Sequence, residues 1–323
     1  MTARVAALLV ASALLIAGCS PAHQLPSPVS VSPVDMTPAG AHTVSMTPAT
    51  ADIDCDREAS LRPGPQPPSG TMPAGSTMAS IAEHGRLVVG VDQNTYLFGY
   101  RNPDTGVVEG FDVDIAREIA RAIFGDPDRV DLRVVDADQR ESALTTGRVD
   151  LIVRTYSITC ERKKIVDFST VYYYASQRIL AAKGSGIHSA ADLGGKRVCA
   201  VYGTTSLPRL LALKPAPEVI GAYNWTDCML MLQQGQIDAI STDDSVLSGL
   251  AKQDPNVEIV GPSMGTEPYG IGIAKGHEDL VRFVNGVLDR LRADGTWERL
   301  YDRWLLSLAP SPGPPSARYQ GQP

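Results

Sequence analysis

Charged side chains beyond the C-terminal ends of strands are where an α/β chain is placed to do chemistry, and Arg162 and Asp243 are two of these. Arg162 follows the run Ser157-Ile158-Thr159-Cys160-Glu161, and Asp243 follows the apolar strand Ile237–Ser241. A guanidinium is a planar fork that binds a carboxylate through two parallel hydrogen bonds, and a fixed carboxylate is the complement of a cation. Position alone leaves alternatives open. Arg162 reads equally well as a helix-surface charge paired with Glu161, and Asp243 competes with helix capping and with its neighbour Asp244. No Ser-His-Asp order, nucleophile elbow, Cys-His pair or phosphate loop stands in a credible context, so no enzyme is expected. Cys55, Cys160, Cys199 and Cys228 have spacings that match no zinc or haem motif. The expectation is two disulfides, no metal and no cofactor.

Rigid elements must hold such groups, and the pattern supplies them. Arg86–Val91 is a short apolar strand, and Phe111, Ile115, Ile119 and Ile123 form one face of a helix that Gly125 stops. Asp131–Val135 is a strand, Asp138-Gln139-Arg140-Glu141 is similar to a capping box opening a helix, and Asp150–Val153 is the next strand. This βαβαβ order implies a parallel sheet covered on both faces. The pattern then restarts: a capping box at Ser189–Asp192, a strand at Arg197–Val201, a turn at Gly203–Ser206, a helix at Thr226–Gln234 and the strand before Asp243. Tyr269–Ala274 is again strand-like, and two amphipathic helices follow, with Trp297 and Trp304 read as core. Two successive α/β units point to two lobes.

The ends read differently. Residues 1–18 form a signal peptide, with Arg4 before a short apolar run. Leu15-Ile16-Ala17-Gly18-Cys19 resembles the bacterial lipobox, which implies acylation of Cys19 and a lipid anchor on the outer face of the cell membrane. Residues 19–53 are rich in Pro, Ser and Thr and are expected to be a flexible tether, as is the tail 309–323. The net charge of −7 argues against nucleic acid as a partner.

Nine short motifs occur in order: Val89-Gly90-Val91-Asp92, Gly110-Phe111-Asp112-Val113-Asp114, Ser157 to Lys164, Asp167-Phe168-Ser169, Gly194 to Val198, Gly203 to Ser206, Ile237-Asp238-Ala239, Tyr269-Gly270-Ile271 and Gly295-Thr296-Trp297. Together they resemble the polar amino-acid branch of the bacterial extracellular solute-binding proteins, family 3, and above all the actinobacterial glutamine-, glutamate- and aspartate-binding lipoproteins. The resemblance implies an α/β, two-lobed periplasmic-binding-protein-like fold of type II, each lobe a mainly parallel sheet flanked by helices. After an N-terminal extension (54–75), lobe one spans 76–177 and 268–308, and lobe two spans 178–267. Two hinge crossings fall near Ser176–Ile179 and Glu267–Tyr269.

The resemblance also implies a site for an amino-acid zwitterion. Arg162 falls where the family anchors the α-carboxylate, and Asp243 where it holds the ammonium. Thr155 and Ser157 match donors to the ligand in lobe one; Thr204 and Thr205 match donors at a helix start in lobe two. The family often has Gly at positions 155 and 205, so a side chain there shrinks the pocket. Arg154 departs from relatives that bind glutamine and adds a cation, unless it turns to solvent or to a carboxylate such as Asp136. With Arg154 at the site, Arg162 and Arg154 against Asp243 leave an excess positive charge, which favours an acidic amino acid. The loop Tyr96–Tyr100 is expected to pack on the ligand through Tyr96 or Phe98, with Asn94, Thr95 and Arg101 near its side chain. The lobe assignments pair Cys199 with Cys228 and Cys55 with Cys160. The expected partners are a free amino acid and either the permease of an ABC importer or a membrane sensor protein, and a monomer is expected.

Overall fold

The computed structural model describes residues 36–45 and 55–321, and the signal segment and Cys19 lie outside them. Lobe one is built on the strand Leu87–Val91, buried because side chains from both faces of its sheet meet packed layers. It pairs in parallel with Val130–Val134 and with Leu151–Ile152. Gly272–Ala274 then runs antiparallel to Leu151–Ile152 and to the edge strand Val166–Phe168. Helix Phe111–Phe124 buries Phe111, Ile115, Ile119 and Ile123, and each such side chain is worth roughly 1.5–3 kcal/mol on burial. Gly125 ends the helix with a left-handed φ of 78°.

Lobe two centres on Arg197–Val201, parallel to Glu218–Ala222 and to Ala239–Asp243. The ten-residue strand Tyr173–Ala182 joins it antiparallel, and Val257–Val260 pairs antiparallel on its far side. Both sheets are therefore more mixed than expected, with parallel strands flanked by antiparallel ones on one side in lobe one and on both sides in lobe two. A strand that arrives from the other lobe is not bound by the right-handed crossover that makes βαβ neighbours parallel.

The first half of Tyr173–Ala182 pairs with Thr266–Tyr269, and its second half belongs to lobe two. These two strands are the crossings between the lobes. The strand expected over Tyr269–Ala274 is consequently two strands, because Tyr269 belongs to the hinge and Gly272 to the sheet of lobe one.

Three terminal or local readings change. Within the expected tether, His42–Thr43 adds an antiparallel strand to the edge of lobe two, and Val44 is buried there; an unpaired sheet edge is a template for such addition. The expected flexible tail packs instead: Ser60 bridges Tyr319, and Arg292 donates to the Pro315 carbonyl. Asp138 does not cap a helix, because a 3-10 turn starts at Ala137, one residue earlier. The capping box at Ser189–Asp192 is formed. Cys55 is joined to Cys160 and Cys199 to Cys228.

Candidate functional site

The cleft is walled on one side by a cluster of three arginines. Helix Cys160–Ile165 starts at Thr159, whose hydroxyl accepts the Arg162 N–H. From its first turn Arg162 donates to the Ser157 carbonyl and, across the cleft, to the Gly203 carbonyl, each at 2.6 Å. Its carboxylate partner is Glu141 at 3.4 Å. Glu161, the alternative partner, pairs with Lys164. Arg140 is 2% exposed, and its hydrogen bonds go to the carbonyls of Ala137, Arg154 and Gly203 and to no carboxylate among the described residues. Both guanidiniums lie over the Tyr156 ring, 4.2 and 4.8 Å from its centre. Burial, and then the charge of Arg162, lower the Arg140 pKa to about 9.

The third arginine does not behave as expected. Arg154 pairs with Asp92 at 3.2 Å, both side chains being buried, and not with Asp136. Asp92, at the end of the first strand and far away in sequence, neutralises the charge of Arg154 that was expected to be free. The Arg154 Nε is buried without a hydrogen-bond partner among the described residues.

Lobe two contributes the carboxylate. Asp243 ends the strand Ala239–Asp243, is 6% exposed, and makes no side-chain cap bond to the helix that follows. Its Oδ2 accepts the Tyr269 hydroxyl at 2.5 Å, and its Oδ1 is buried without a hydrogen-bond partner among the described residues. Burial, followed by the Glu267 carboxylate, pushes its pKa up to about 8. Asp244 is engaged elsewhere, accepting the N–H groups of Ser176 and Ser245.

Arg140, Arg154, Thr155, Ser157 and Arg162 from lobe one, and Thr204, Thr205, Trp225 and Asp243 from lobe two, line one narrow cavity. The Thr204 hydroxyl donates to the Val201 carbonyl and that of Thr205 to Glu267, at the start of a helix of only six residues. Thr155 donates its N–H to Asp112 rather than into the cavity. The loop before helix Phe111–Phe124 is the main correction. Asn94, Tyr96 and Arg101 line a separate groove beside the cleft, where Asn94 donates to Asn224 of lobe two. The Thr95 hydroxyl turns to Asp92, and Phe98 is core, packed against Phe111, Tyr173 and Tyr269. The aromatic residue at the cavity is Trp225, which opens helix Trp225–Gln233 after a strand of lobe two. Sequence reasoning missed both Trp225 and Arg140. The signal for Trp225 was its place just past a strand end, whereas Arg140 gave none, sitting among charges that read as a cap.

Gly203 brings the lobes together. Its φ is 72°, and a Cβ would lie 2.4 Å from Asp138 Cα on the opposite lobe. Gly203→Ala should therefore act twice. The left-handed backbone costs roughly 1–2 kcal/mol of stability, and the clash holds the lobes apart, weakening ligand binding at least tenfold. Small-angle scattering with saturating ligand checks this: the variant should stay more open than wild type, and equal profiles would refute it.

Among the described residues, no group of three or more His, Cys, Asp or Glu is arranged to hold a metal ion, and no helix is long and apolar enough to cross a membrane. The sequence model of the bacterial extracellular solute-binding proteins, family 3, matches residues 87–307. The ABC transporter glutamine-binding protein of Bacillus subtilis is 40% identical over 230 residues, which cover 71% of this chain and 84% of that protein. The glutamate-binding protein of Corynebacterium glutamicum is 30% identical over 243 residues, covering 72% of this chain and 82% of that one. An ancestral arginine-binding protein bound to glutamine aligns in structure with a TM-score of 0.64 at 34% identity, covering 68% of this chain and 98% of the other.

Proposed function

This chain belongs to the bacterial extracellular solute-binding proteins, family 3, and from that membership we propose that its cleft captures a free acidic amino acid, aspartate or glutamate. The reading rests on one observation: among the described residues, three guanidiniums and a single carboxylate line the same cavity. Asp243 meets the α-ammonium with its unpartnered Oδ1, and Arg162 meets the α-carboxylate. Arg154 is offset by Asp92, so the acid preference moves to Arg140, the buried cation whose acceptors are neutral carbonyls. A second carboxylate on the ligand pairs with it, whereas an amide leaves it, in a desolvated site, with only the Glu141 charge that Arg162 already engages. Trp225 covers the methylene groups. Ligand held between the lobes favours the closed state of a pre-existing equilibrium. The closed protein then delivers its cargo to the permease of an ABC importer, in line with the Bacillus relative's name as an ABC transporter's binding protein, while Cys19 carries the lipid that holds it at the membrane.

Titration calorimetry at pH 7 with aspartate, glutamate, asparagine and glutamine tests the ligand class. The acids should bind at least tenfold more tightly than their amides, and Arg140→Met should shrink that ratio toward one. Glutamine binding as tightly as glutamate in wild type would overturn the acid preference and leave amino-acid binding intact.

A further inference from the structure

Thr155 carries a φ of 37°, and it is a β-branched residue on the wall of the cavity. Such a residue is strained in the left-handed region and persists there only when its surroundings hold it. The peptide between Arg154 and Thr155 is pinned at both ends. Its carbonyl accepts from Arg140 at 3.4 Å, and its N–H donates to Oδ2 of Asp112 at 2.8 Å. Asp112 is 1% exposed, in the first turn of helix Phe111–Phe124, and its other oxygen accepts the buried Tyr172 hydroxyl at 2.8 Å. Neither oxygen is turned to the cavity wall by a contact of its own, and Asp112 is absent from the cavity lining.

We infer that Asp112 is a positioning residue for the cleft: by holding the Thr155 N–H it fixes the strained peptide that sets the places of Arg154, Thr155 and the acceptor of Arg140. The inference rests on the proposed amino-acid binding. Without the hold, the peptide rotates toward an unstrained φ, Thr155 moves into or away from the cavity, and Arg140 loses the Arg154 carbonyl. Glycine reaches the same φ at no steric cost, so the need for Asp112 should vanish if Thr155 is glycine.

That dependence is the test. Wild type, D112N, D112A, T155G and the double variant D112A/T155G are titrated with aspartate and glutamate, and their ligand-free melting is recorded. D112A should bind at least tenfold more weakly than wild type, and the double variant should bind within about threefold of T155G. A purely structural role lowers the melting temperature but gives no rescue of affinity by T155G. D112N retains an oxygen for Thr155 and presents its amide N–H to the Tyr172 oxygen, so it should bind within about threefold of wild type. D112A binding like wild type, or a folded double variant as weak as D112A, would overturn the inference. If D112A fails to fold, D112N decides: a loss beyond tenfold would assign Asp112 a charge role instead of a positioning one. Wild type that bound no amino acid would remove the proposed function itself, an outcome separate from all of these.

Discussion

Arg162→Ala should bind its amino acid roughly thirty- to several-thousand-fold more weakly than wild type, the loss of about 2–5 kcal/mol seen when one partner of a buried charged pair is truncated. The fork of Arg162 is held within lobe one, and closure adds a contact from lobe two. Ser157, Gly203 and Glu141 orient three of its N–H groups, and the Tyr156 ring lies beneath it. Such preorganisation means that little side-chain entropy is lost when a carboxylate docks. Arg162→Lys should recover little, since an ammonium cannot reproduce three donors in a plane. A residue on the cleft rim would be removable without cost to folding, but Arg162 is 9% exposed and ties two carbonyls. The ligand-free variant should therefore melt a few degrees lower while remaining folded. Circular dichroism beside the titration separates the two effects. A folded variant that binds within a few-fold of wild type would remove Arg162 from the site.

The placement of Arg162 and Asp243 on the cavity wall was legible through the family resemblance, since position alone left Arg162 a surface charge beside Glu161 and Asp243 a helix cap. The side chains around them were not legible, for physical reasons that differ from case to case. Asp92 neutralises Arg154 across a parallel sheet, a contact between strand ends that no local pattern encodes. Arg140 is enclosed by Ala137, Arg154 and Tyr156 of its own lobe and by Gly203 of the other, contacts that come together only in the folded chain. The aromatic loop failed in the opposite direction. Its residues have the composition of a ligand platform, yet Phe98 finds a core of Phe111, Tyr173 and Tyr269 within ring-contact distance and is withdrawn from the cleft. Resemblance located Thr155 in the wall, but only its φ shows that a side chain here works against the backbone. The tether and tail misled because composition measures what a segment can bury by itself. Residues 42–43 and 319 instead borrow a sheet edge and a bridge from the folded lobes.

Asp243→Asn should lose binding by a similar thirty- to several-thousand-fold while leaving the ligand-free protein as stable as wild type or more so at neutral pH. The two effects have one origin. Asp243 is buried beside Glu267 and Asp244 and keeps an oxygen without a partner among the described residues, which is why its carboxyl is pushed up to about 8. A carboxyl whose folded value lies above its unfolded value, near ~4, binds more protons in the native state. Its contribution to stability is therefore greatest at low pH and declines as pH rises from about 4 to about 8. Asparagine removes that slope. Ligand binding has the opposite sign, because an ammonium requires the ionised form. Between pH 6 and 8 the affinity of wild type should rise with pH, approaching tenfold per unit at the acid end, where each unit of proton competition is worth about 1.4 kcal/mol. Tyr269 strengthens the link to closure, since its hydroxyl holds Asp243 from within the hinge strand Thr266–Tyr269. Calorimetry across that pH range, on wild type and Asp243→Asn, measures both slopes. In buffers of different ionisation enthalpy, wild type should release a fraction of a proton per ligand bound at pH 7, and the variant should release less by that amount. Identical proton release in the two proteins, or an affinity for wild type that is flat from pH 6 to 8, would place the ammonium somewhere other than Asp243.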